Sequence, residues 1–144
     1  MKSIQEVQDE IIEEFEMLGD DKESTIYYIM ELGGQLPEFP EEERTETNII
    51  KGCQSKVWLT ARENDDKLEF LADSNTDITK GLISLLIRVL SHRKPEEIMA
   101  ADLSFIQKIG MGNIIGSQRS NGLAAMIMQM KRYAVAYHTK SNAS

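Results

Sequence analysis

Ile49-Ile50-Lys51-Gly52-Cys53-Gln54-Ser55-Lys56-Val57-Trp58 holds the only cysteine of the 144-residue chain and marks where its hydrophobic period changes. Downstream, Val57, Leu59 and Ala61 alternate with Trp58, Thr60 and Arg62, the period of a half-buried strand. Asn64-Asp65-Asp66-Lys67 has hairpin-turn composition, and Leu68, Phe70 and Ala72 alternate with Glu69, Leu71 and Asp73 in a returning strand. Ile49-Ile50 reads as a further short strand before the cysteine turn, which predicts a small antiparallel three-stranded sheet. A cysteine kept for packing lies within an apolar face. Cys53 instead follows a glycine and precedes two polar residues, where a thiol can be reached.

Outward from this stretch the period is helical. Ile4, Val7, Ile11, Phe15 and Leu18 form one stripe, with Ser3 and Glu6 matching a capping box and Gly19 a stop. Asp20 with Glu23 offers a second cap, for a helix that ends at Gly33-Gly34, and the short link predicts an antiparallel helical pair over 1–35. Leu36-Pro37-Glu38-Phe39-Pro40 cannot be helical, and Glu41-Glu42-Glu43 reads as a solvated acidic run. Ile78, Leu82, Leu85, Leu86 and Val89 predict a helix from Asp77, and Pro95 suits the first turn of another. Leu103, Ile106 and Ile109 suggest a short helix stopped by Gly110 and Gly112. A last long helix starts near Ser117 to Ser120 and carries Leu123, Met126, Ile127, Met130, Tyr133, Ala134 and Tyr137, with frayed final residues. The reading is one α+β domain over 1–144: helices, a sheet with the cysteine loop at 49–74, then helices over 77–138.

Composition narrows the function. The chain is 41% hydrophobic and 28% charged, ordinary for a globular protein, with a net charge of -8. That balance argues against binding nucleic acid, where clustered Lys and Arg are needed. Gly81 to Leu90 is too short to span a bilayer, and the start shows no signal-peptide pattern, so a cytoplasmic location with no membrane partner is expected. One cysteine forms no internal disulfide. With Cys53, His92 and His138 widely spaced, no metal site is expected.

A cysteine hydrolase needs a histidine to hold the thiolate, and neither histidine is placed by sequence to meet Cys53. What remains is sulfur relay, in which a thiolate takes the outer sulfur of another protein's persulfide by a step like thiol–disulfide exchange. Lys51, Gln54 and Ser55 could favour the sulfur anion, and Gly52 opens backbone shapes closed to other residues. An incidental turn cysteine fits these residues too.

The run Gly52-Cys53-Gln54-Ser55-Lys56-Val57-Trp58-Leu59 resembles the signature of the SufE family (SufE and CsdE-like proteins), sulfur acceptors for cysteine desulfurases in iron–sulfur cluster assembly. Further pieces match in order: Glu31-Leu32-Gly33 with Leu36-Pro37, Ala72-Asp73-Ser74, Lys80-Gly81-Leu82-Ile83, Pro95-Glu96-Glu97-Ile98, and Arg119-Ser120-Asn121-Gly122-Leu123 with Ala125-Met126. The resemblance implies a SufE/NifU-like fold in which Cys53 receives sulfur from the persulfide of a SufS/CsdA-type desulfurase, stimulates that enzyme, and passes sulfur to a SufBCD-type scaffold. It implies a carrier rather than an enzyme. Pyridoxal phosphate would belong to the desulfurase, with no cofactor on this chain. It implies that the cysteine loop can rest with its side chain tucked against apolar residues and swing out to react. It also implies that Arg119 lies near the loop and that Asp73 and Ser74 shape a neighbouring one. Self-association as a homodimer, the partner paralogue and a purely structural adaptor role stay open. Asn75, Thr79 and Gly116 depart from the residues common there: aspartate, valine and a capping serine.

Overall fold

The hairpin forms where its local chemistry dictates. In the computed structural model, which describes residues 1–143 and the side chains of 1–140, β1 (Val57–Asn64) pairs antiparallel with β2 (Lys67–Ser74). The ladder runs from Val57 opposite Ser74 to Asn64 opposite Lys67. Asp65 and Asp66 take φ of 51° and 62°, the left-handed pair a two-residue hairpin needs. Val57, Leu59, Leu68, Phe70 and Ala72 are buried on one face, as the alternation predicts. The expected fraying concerns residues of which Ser144 and the side chains of 141–143 lie outside those described.

Among the described residues the sheet has two strands, not three. Ile49 makes only an isolated bridge to Trp58, through Ile50 N–H donating to Val57 O at 2.8 Å. The next outward carbonyls of β1 are taken by side chains: Tyr133 O–H donates to Leu59 O and Tyr137 O–H to Ala61 O, both at 3.2 Å. Two tyrosines therefore stand where the rest of a third strand would. The outer edge of β2 is closed by the chain after α3, with Leu68 N–H donating to Arg93 O at 2.9 Å and His92 N–H to Leu68 O at 2.7 Å.

Around the hairpin lie α1 (Ile4–Glu16), α2 (Lys22–Gly33), α3 (Asp77–Leu90), α4 (Pro95–Ala100), α5 (Phe105–Lys108) and α6 (Met111–Ala143), with two 3₁₀ turns at Glu41–Glu43 and Glu46–Asn48. Ser3 and Glu6 form the capping box. The cap of α2 is Asp21 rather than Asp20, its carboxylate accepting from Glu23 N and Ser24 N. The first two helices are not each other's principal partner. They meet where the Phe15 and Tyr28 rings contact edge to face at 5.4 Å, but α2 packs chiefly on α3. Gly33 and Gly81 make that crossing possible: a Cβ on Gly81 would fall 1.9 Å from Ile29 O. Gly110, at φ 71°, ends α5, whereas Gly112 lies inside α6 and stops nothing. The helical path of α6 breaks at Gly116 (φ 85°, ψ 170°), a conformation essentially reserved for glycine. The long segment thus begins at Ser117, and a serine at 116 could not take this backbone shape without strain.

The core gathers Ile11, Ile29, Leu59, Leu82, Leu86 and Met130 from both helical groups and the sheet. Each such fully buried side chain stabilises by about 2 kcal/mol, against about 1 kcal/mol for a net hydrogen bond. Apolar burial therefore holds the fold, and the edge hydrogen bonds complete it. Among the described residues no helix is long and apolar enough to cross a membrane.

Candidate functional site

Residues 51–56 form a tight turn at the mouth of the hairpin, pinned at its base by the Ile50–Val57 hydrogen bond. Gly52 has φ 97°, and a Cβ there would already touch Ala125 at 3.4 Å, so the turn lies closely on α6. This brings the half-buried Cys53 against Gly122, whose carbonyl accepts from the thiol at 3.5 Å. A Cβ on Gly122 would sit 3.5 Å from Sγ. Its absence leaves space beside the sulfur.

Cys53 shares a cavity of about 90 Å³ with Gln54, Ser55, Thr76, Thr79 and Arg119, over an apolar floor that includes Leu82 and Met126. Arg119, in the segment that starts after the Gly116 break, is exposed yet lines this cavity. Lys51 and Gln54 are exposed as well. The sequence singles out Thr79 only as a departure from a commoner valine, and Thr76 not at all, although their i, i+3 spacing at the start of α3 puts both on one face.

The stem of the turn is fastened to the loop between β2 and α3. Ser74 O–H donates to Lys56 O at 2.7 Å, and Lys56 N–H donates to Asn75 Oδ1 at 3.1 Å. Asn75 needs only a carbonyl oxygen for this, so the missing negative charge costs the contact nothing. Asp73 reaches Arg44 at 2.5 Å and Lys80 at 3.4 Å, while accepting from Ser74 N at 2.8 Å. Burial pushes its carboxyl up, but the Ser74 N–H and the two cations outweigh that and hold it below the usual aspartate value. Arg44 lies over the Trp58 and Phe39 rings, 5.2 and 5.6 Å from their centroids. Asp73 thus anchors the loop through Arg44. Sequence patterning gave no sign of Arg44, because its partners come from three separate segments.

Burial is what raises the resting Cys53 thiol. In this position the thiolate is scarce and the sulfur a poor nucleophile. The pH profile of Cys53 alkylation in the folded protein is therefore expected to reach its midpoint above the ordinary thiol value, about 8.5. Denatured protein should titrate at the ordinary value; coincident profiles, followed by iodoacetamide labelling and mass analysis, would contradict the burial argument.

The histidines lie elsewhere. His92 Nδ1 is 3.6 Å from Glu69 beside the sheet, and His138 Nδ1 is 3.1 Å from Glu96, joining α6 to α4. Among the described residues no three His, Cys, Asp or Glu side chains gather as a metal site. The turn offers one accessible sulfur, a cavity beside it and an arginine at the rim. It has no general base within it.

A family model described as "SufE: Fe-S metabolism associated domain" matches residues 9–134. An uncharacterized SufE-like protein of Rhizobium meliloti is 39% identical over 131 residues, covering 88% of this chain and 93% of its own. One from Rhizobium etli is 38% identical over 131 residues, covering 88% of each chain. In fold, the chain is similar to a hypothetical protein of Thermus thermophilus solved in solution: TM-score 0.76, 18% identity, 92% of this chain and 96% of that one.

Proposed function

Because the chain belongs to the SufE family, whose domain is associated with Fe–S metabolism, we propose that it is a sulfur carrier whose Cys53 accepts one sulfur atom from a cysteine desulfurase of the SufS/CsdA type. The Cys53 thiolate attacks the outer sulfur of the enzyme's cysteine persulfide. A new S–S bond forms at Cys53, the S–S bond of the donor breaks, and the donor cysteine leaves as a thiolate that takes up the proton Cys53 gave to solvent. No electron is gained or lost overall. A scaffold of the SufBCD type repeats the exchange and leaves Cys53 free. Pyridoxal phosphate works on the desulfurase, and this chain speeds turnover by unloading that enzyme.

The observation that carries this reading is the position of the one cysteine: at the tip of a short turn, half-buried against Gly122, beside a cavity large enough for a further atom. Solitude suits a carrier, since a second thiol nearby would attack the persulfide and expel the cargo as sulfide. Burial at rest suits it too, because a sheltered persulfide survives passing thiols. Moving out, the sulfur loses the burial that raised its proton affinity and meets Arg119 and Lys51 at the surface.

Incubated with a desulfurase and cysteine, the protein is expected to gain the mass of one sulfur atom, mapped to Cys53 by peptide mass analysis. Stable binding of the desulfurase with no sulfur on Cys53 would select the adaptor role instead.

A further inference from the structure

Resting on the sulfur-carrier reading, we propose that the hydroxyls of Ser55, Thr76 and Thr79 form a seat for the outer sulfur of the Cys53 persulfide and hold it as an anion. The three oxygens close a ring. Thr76 O–H donates to Thr79 Oγ1 at 2.8 Å, Thr79 O–H donates to Ser55 Oγ at 3.3 Å, and the Ser55 and Thr76 oxygens lie 2.9 Å apart. All three residues line the cavity that Cys53 also lines. A single water needs only about 10–15 Å³ of such space, so the cavity of about 90 Å³ takes one more atom on Cys53 without moving its walls.

Thr79 is 5% exposed, so its hydroxyl must find partners inside the protein. It finds them in the ring. Thr76 is the N-cap of α3, yet its side chain makes no hydrogen bond to the first-turn amides. A capping threonine ordinarily satisfies one of them. Here that hydroxyl is committed to the cavity.

A ring of three hydroxyls can release one donor by opening its longest link, Thr79 to Ser55. The bond then made to a sulfur anion is charge-assisted, roughly twice as strong as the neutral one it replaces. The resting thiol gains nothing from this arrangement, since it donates to Gly122 O and is raised by burial. The donors serve the atom beyond it. A neutral hydropersulfide is an electrophile that small thiols attack, whereas its anion resists them. Favouring the anion therefore protects the cargo until the loop carries it out.

The test loads purified wild-type, Thr79→Val, Thr79→Ser and Ser55→Ala proteins with inorganic polysulfide, so that no partner is needed. Loss of the added sulfur to glutathione is followed by intact mass, and the titration of the terminal sulfur by the pH dependence of its alkylation. Thr79→Val is expected to lose sulfur roughly tenfold faster, the scale of one hydrogen bond to a charged group. Its terminal sulfur should titrate at higher pH, and Thr79→Ser should restore both properties. Equal lifetimes and equal titration in Thr79→Val and wild type would overturn the seat. Should Thr79→Val fail to fold, Ser55→Ala decides by the same two readings. Wild type that loads from polysulfide but never from a desulfurase would sink the carrier reading and leave the seat standing. Desulfurase loading with unchanged lifetimes in the variants would do the reverse.

Discussion

Cys53→Ser is expected to abolish sulfur loading, to the detection limit of intact-mass analysis, and to return desulfurase turnover to the rate of the enzyme alone. A serine hydroxyl stays protonated at neutral pH and cannot hold sulfur through an S–S bond, so no smaller effect is consistent with a covalent carrier. The substitution changes one atom at a half-buried site that donates a single weak hydrogen bond to Gly122 O. Thermal stability and desulfurase binding should therefore stay close to those of the parent, within about 0.5 kcal/mol for the fold. Full stimulation by the serine variant would show that activation works through docking alone, and the exchange chemistry would have to be abandoned.

The second large effect falls far from the sulfur. Gly81→Ala should destabilise the protein by about 3 kcal/mol, the upper part of the range for overpacking, and lower its midpoint of thermal unfolding by roughly 10 °C. An added Cβ would meet Ile29 O at 1.9 Å and Ile29 Cγ2 at 2.6 Å. The first of these is backbone, so no rotamer change relieves it; α2 has to move away from α3. That separation would open the contact between Leu32 O and the Ser84 hydroxyl, now 3.2 Å, along the same crossing. Calorimetry on the variant decides this directly. A midpoint within a degree or two of wild type would mean that the crossing is softer than its backbone approach indicates.

How much of this was legible in sequence depended on the range of the interaction. The Ser3–Glu6 capping box and the Asp65-Asp66 turn were readable because all their partners lie within a few residues. The α2 cap slipped by one, from Asp20 to Asp21, because adjacent aspartates offer the same chemistry and only the entry path of the chain chooses. The third strand expected at Ile49-Ile50 shrinks to one bridge because a short β-branched run says nothing of what else can satisfy the β1 edge. Tyr133 and Tyr137 were read as apolar stripe, and their rings do pack inward, but their hydroxyls take the place of a strand. The Gly33–Gly81 approach and the Arg44–Asp73 anchor join segments far apart in the chain, beyond any periodicity. At the site, Cys53 stood out by its surroundings. The hydroxyl ring did not, because a serine and two threonines are ordinary until folding brings them together.

The tyrosine-lined border has a further consequence. An extended peptide that recruits a host by strand addition needs a row of vacant main-chain acceptors. Those of β1 at Val57, Leu59 and Ala61 are already engaged, while Arg93 and the Ser91 hydroxyl occupy β2 at Leu68 and Phe70. Association with other chains is then expected to proceed through the relief of folded surfaces, the 51–56 turn against α6 among them. The same closure should keep the hairpin from nucleating intermolecular sheets at high concentration, so the protein can be abundant without becoming sticky.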